Sequence, residues 1–116
     1  MLSRYPALFA LLLLPTTVLA ETTYTPTNAN GQVEVILKEH RFTPAEIRVP
    51  AGKRTLLLVK NQDKTADEFD STALKVEKVI AGGSEGVVRL QPLGVGRYPF
   101  MGEFNPETAQ GVVIAE

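Results

Sequence analysis

From residue 32 onward the chain is a series of short apolar alternations, and no stretch of ten or more residues holds a sustained 3.6-residue apolar period. That pattern excludes a helical bundle and a doubly wound α/β sheet, since both need amphipathic helices. Val33, Val35 and Leu37 alternate with Glu34, Ile36 and Lys38, as in a half-buried strand. After a turn at Thr43-Pro44, Ile47 and Val49 alternate with Glu46 and Arg48. Pro50-Ala51-Gly52-Lys53 reads as a turn, because proline presets φ and glycine tolerates a positive one. Leu56 to Val59 is a continuous apolar run of strand length. Asn61 to Ser71 is polar and too long for a hairpin turn, so an irregular or short helical excursion is expected there. Leu74 and Val76 alternate with Lys75 and Glu77, and the strand continues through Val79-Ile80. Glycine-rich turns then lead into Val87–Leu90 and Arg97–Phe100, and a second excursion from Met101 to Gln110 precedes Gly111–Ile114. Seven short strands with turn signals at roughly 8–12-residue spacing predict an all-β sandwich. The two long excursions are the expected home of function, since a compact fold has no need to make them long.

The first twenty residues follow a different rule. Arg4, an apolar run from Ala7 to Leu14 and the ending Val18-Leu19-Ala20 make an export signal over residues 1–20. The run has eight residues, against about 20 for a membrane-spanning helix. Residues 21–31 are polar and aperiodic and read as a flexible lead-in, leaving 32–116 as the domain. Export without any cysteine means that packing, not a disulfide framework, must stabilise the fold. The missing thiol also excludes a zinc ribbon, a thiolate nucleophile and a blue-copper centre. With 12 basic and 13 acidic side chains there is no basic excess to draw nucleic acid. With no spanning segment, contact with a membrane is peripheral at most. One histidine and no serine placed beside it leave no basis for a Ser-His-Asp triad.

Phe42-Thr-Pro44-Ala-Glu-Ile47-Arg-Val49-Pro50-Ala-Gly52 and Gly94-Val-Gly96-Arg-Tyr98-Pro-Phe100 resemble cupredoxins, as does the ending Asn105-Pro106 to Gly111-Val-Val-Ile114. The closer likeness is to the EfeO-type, iron-transport-associated cupredoxin-like family. Asn61-x-Asp63, Glu68-Phe69-Asp70-Ser71, Leu74 to Glu77-Lys78-Val79-Ile80 and Gly102-Glu103-Phe104-x-Pro106-x-Thr108-Ala109-x-Gly111 carry it, and it spans about residues 33–116. The resemblance implies a cupredoxin-like Greek-key β-sandwich of seven to eight strands. It further implies a periplasmic protein assisting ferrous-iron uptake beside an iron permease and a periplasmic metal-binding partner protein, at most through a ferroxidase-like oxidation.

A type 1 copper centre needs two histidines, a cysteine thiolate and a weak axial methionine. Carried onto this chain by the motifs, those positions are Asp67, Gly102, Asn105 and Ala109, and all four residue types are changed. The donors left near the same end are Asp67, Glu68, Glu103 and Glu107. If the first and third of the predicted strands run parallel, His40 joins them, and Met101 opens the second excursion. A carboxylate-rich site of this kind suits iron, copper(II) or manganese better than copper(I). The same residues also fit plainer roles: His40 as a strand-end residue, the glutamates as solvated loop carboxylates, Met101 as a core filler beside Phe100 and Phe104. A metal-free docking or scaffold module of the transport system and a periplasmic copper-binding protein stay open as alternatives.

Overall fold

The computed structural model describes residues 4–15 and 23–116. Residues 4–15 form no helix or strand, and their leucines and Phe9 stand 75–94% exposed. The Val18-Leu19-Ala20 ending of the expected export signal and the first two residues of the lead-in lie outside the described residues. No helix among the described residues is long and apolar enough to cross a membrane.

Nine strands build the domain: β1 (Gln32–Lys38), β2 (Arg41–Thr43), β3 (Glu46–Val49), β4 (Thr55–Asn61), β5 (Asp67–Ser71), β6 (Val76–Ile80), β7 (Glu85–Leu90), β8 (Gly96–Gly102) and β9 (Gln110–Ala115). They form two sheets of order β2-β1-β4-β7 and β3-β9-β8-β5-β6. The fold is an all-β Greek-key sandwich, with no helix among the described residues. Its strand count exceeds the expected seven or eight because β2 is a three-residue edge strand and β5 occupies a segment read as loop.

Alternation places the core. Val33, Val35 and Leu37 of β1, Leu57 and Val59 of β4 and Val88 and Leu90 of β7 face Ile47, Val49, Phe69, Phe100 and Val113 of the other sheet, all buried. Each such side chain contributes about 1.5–3 kcal/mol when withdrawn from water. Phe42, Phe69 and Phe100 form the aromatic centre, with ring centroids 5.9, 5.1 and 4.7 Å apart.

The excursion at 61–71 differs from expectation. No helical turn forms, and residues 67–71 are a strand between β8 and β6. Asp67, Phe69 and Ser71 point inward, while Glu68 and Asp70 point out. Polar residues on both faces hid the strand, because burying an oxygen is tolerated only where partners await it. Ser71 Oγ has them, donating to the Pro99 carbonyl at 2.7 Å and accepting from the Leu74 amide at 2.9 Å.

β1 and β4 run parallel, as the placement of His40 required, with Leu37 opposite Asn61. The β1–β2 hairpin turns through Glu39 and His40, at φ 52° and 57°. Both amides donate to the Asp63 carboxylate, at 2.7 and 3.0 Å. The segment ahead of β1 is hydrogen-bonded to the domain: Thr25 Oγ1 accepts from the Arg48 amide, and Tyr24 OH donates to the Glu116 carbonyl. The packed unit therefore begins before Gln32. At that same pole Arg48 bridges Glu46 and Glu116.

Candidate metal centre

The outward face of β5 carries Glu68 and Asp70 two residues apart, which a strand places on one side. The loop leaving β8 lays Glu103 alongside, its amide donating to the Glu68 carbonyl at 2.9 Å. Glu68, Asp70 and Glu103 each offer a carboxylate oxygen within 4.8 Å of the others. Glu77 of β6 stands directly opposite Asp70 and adds a fourth negative charge. A hydrogen bond with Glu103 holds the Glu68 carboxyl above its ordinary range, helped by partial desolvation and by repulsion from Glu103, Glu77 and Asp70. A hard cation bound among these oxygens would relieve the crowding of like charge.

Of the residues singled out in the sequence, Glu68 and Glu103 come together. Met101 of β8 lies opposite Asp70 in register, 40% exposed, and flanks the carboxylates rather than filling the core. His40, Asp67 and Glu107 do not join them. The His40 imidazole lies 3.5 Å from the Asp63 carboxylate, at the turn that Asp63 holds. Glu107 is exposed on the 103–109 loop. Asp70 was missed because 61–71 was read as loop; a strand assignment would have put it on the face of Glu68.

Asp67 turns into the domain and is 3% exposed. Its Oδ1 accepts from the Glu68 amide at 2.8 Å and the Phe104 amide at 3.0 Å, and its Oδ2 accepts from Asn105 Nδ2 at 3.0 Å. A Cβ built on Gly102 would lie 2.5 Å from Asp67 Oδ2 and 2.8 Å from the Ala109 Cβ. Asp67, Gly102, Asn105 and Ala109, the four positions matched to type 1 ligands, therefore converge in space. They do not fit copper of that type. The set holds neither sulfur nor imidazole, both Asp67 oxygens are engaged, and no buried side-chain nitrogen or oxygen among the described residues lacks a partner.

The two-sheet all-β architecture, with strand and loop meeting at one end, is of the cupredoxin-like class. Residues 7–115 match the cupredoxin-like domain family, and the chain belongs to it. An uncharacterized protein of Rickettsia prowazekii is 35% identical over 83 residues, covering 72% of this chain and 66% of that relative, so the chain spans about two thirds of the relative's length. The Cu(I)-bound metal-binding domain of CopA, a Cu(I)-exporting P-type ATPase of Streptococcus pneumoniae, superposes with a TM-score of 0.64 at 17% identity, covering 78% of this chain and 91% of that one. The purple cupredoxin of Nitrosopumilus maritimus gives 0.56 at 15% identity over 72% of this chain and 98% of its own. Auracyanin A of Chloroflexus aurantiacus, a blue copper protein, gives 0.60 at 16% identity over 73% of this chain and 98% of its own. At such identities the likeness is one of fold.

Proposed function

We propose that this chain is an exported, periplasmic cupredoxin-like protein of the EfeO type that assists ferrous-iron uptake by holding iron transiently at Glu68, Asp70 and Glu103. The observation that carries this reading is the meeting of three carboxylate oxygens within 4.8 Å on the outer face of β5. Hard anionic oxygens suit iron, and their charge favours the ferric over the ferrous ion. A ferroxidase-like role would rest on the same residues: Glu68, Asp70 and Glu103 would hold the ion, and their charge would stabilise its ferric form. The iron permease and a periplasmic metal-binding partner protein are the proposed partners, met at the membrane surface. The export signal over residues 1–20 and the family motifs on both loops support the setting.

Calorimetric titration of the mature, metal-stripped protein with anaerobic Fe(II), and with Mn(II) and Cu(II), tests the site. Binding tighter than millimolar is expected, lost in Glu68→Gln/Glu103→Gln with the melting temperature moved by less than about 3 °C, because both side chains face outward. Unchanged affinity in that variant defeats the assignment.

The hydrogen-bonded Asp67–Asn105 pair at the old ligand positions favours a second reading, a metal-free docking module of the same transport system. Retention of the stripped protein on permease-containing membranes would support it. A copper-binding protein is a third reading, resting on copper-binding relatives and on Met101, the one soft donor beside the carboxylates.

A further inference from the structure

We infer that Asp67 takes over the mechanical role of a metal in this chain: its carboxylate is the common centre that ties β5 to the 102–109 loop. A metal bound at positions 67, 102, 105 and 109 would join strand and loop through bonds to one ion. Here a carboxylate gathers the Glu68 amide, the Phe104 amide and the Asn105 side chain instead.

The loop has bonds of its own that set its shape. The Gly102 amide donates to the Ala109 carbonyl at 2.8 Å, the Asn105 amide to Gly102 at 3.0 Å and the Ala109 amide to Asn105 at 2.9 Å. They close the loop on itself. Beyond the backbone pairing of β5 with β8, the Glu103–Glu68 contact and the packing of Ala109 in the core, Asp67 supplies the side-chain hydrogen bonds that fix its far side to the strand. Its burial among Gly102 and Ala109 keeps water from competing for those donors. One carboxylate thus serves as a shared anchor of opposite sign to a cation, gathering three donors, of which Asn105 alone stands at a matched ligand position. Gly102 belongs to the same device, since a side chain there would enter the space that Asp67 Oδ2 occupies. The closed tip is therefore independent of metal, whatever binds on the outer face of β5.

Amide hydrogen exchange on the metal-stripped mature protein tests this. The Phe104 amide is expected to be protected without any metal, and to exchange at least about tenfold faster in Asp67→Ala, the effect of losing one bond to a charged acceptor. Asn105→Asp sets two carboxylates face to face and is expected to lower the melting temperature by more than about 5 °C. Adding Asp67→Asn to it restores a donor–acceptor pair and should recover more than half of that loss, a coupling that a merely nearby residue would not show. If Asp67→Ala does not fold, the Asn105→Asp and double variants decide. An unprotected Phe104 amide in the stripped protein, an exchange rate unmoved by Asp67→Ala, or an Asn105→Asp variant as stable as the parent would each overturn the inference.

Discussion

At the scale of single residues, the changes at positions 67, 102, 105 and 109 behave as a set. Glycine at 102 is dictated by its neighbours: an added Cβ would meet Asp67 Oδ2 at 2.5 Å and the Ala109 Cβ at 2.8 Å, and neither is the end of a long flexible chain. Gly102→Ala is therefore expected to destabilise the domain by about 2 kcal/mol, within the range for overpacking a closed site. Chemical denaturation of the mature protein measures it; a loss below about 0.5 kcal/mol would mean that Asp67 can swing aside. The motifs name these four positions because each is counted from a neighbouring aromatic or glycine, and the structure brings the four residues together. The inward turn of Asp67 could not be read the same way. Its partners Phe104 and Asn105 stand 37 and 38 residues away, and no local pattern announces that a carboxylate will find them.

Among the elements, hairpin β1–β2 and strand β5 mark the two limits of legibility. The apolar alternation of β1 was plain, and its parallel pairing with β4 brought His40 to the start of the 61–66 loop. The hairpin's own turn was not. Two left-handed residues in succession favour Asn-Gly, whereas this chain uses Glu39-His40 and steadies them with Asp63. Glu39→Asn/His40→Gly removes that steric cost and is expected to raise the melting temperature by about 4–8 °C, equivalent to about 1 kcal/mol, in a thermal scan of the mature protein. No gain would imply that Asp63 has already offset the strain. Strand β5 was missed because Asp-Glu-Phe-Asp-Ser is polar on both faces, and only its neighbours β6 and β8 make it a strand. Missing it also cost Asp70, which belongs with Glu68 by strand period alone.

For the molecule as a whole, the crowded carboxylates link stability to pH. Glu68 binds its proton more tightly in the folded state than in the unfolded chain, where the ordinary value is 4.5. Its contribution is thus fully present below that value and fades as the pH rises through the elevated folded-state one. Melting temperature measured across this window should fall less steeply in Glu68→Gln than in the parent, and binding of a cation should release a proton there. Equal slopes would show that the tighter proton binding at Glu68 has no energetic weight. The all-β architecture was legible because periodicity is written along the chain, residue by residue. The carboxylate cluster was half legible, since Glu68 and Glu103 meet only through the pairing of β5 with β8.

The clasp joining Tyr24 to Glu116 has a practical corollary. Strand β9 runs from beside the 102–109 loop toward that clasp, so its six residues put roughly 20 Å between them. Any linker, fusion partner or solid support attached ahead of residue 23 or after residue 116 would leave the sandwich from the far pole, holding Glu68 and Glu103 toward whatever approaches from the opposite side.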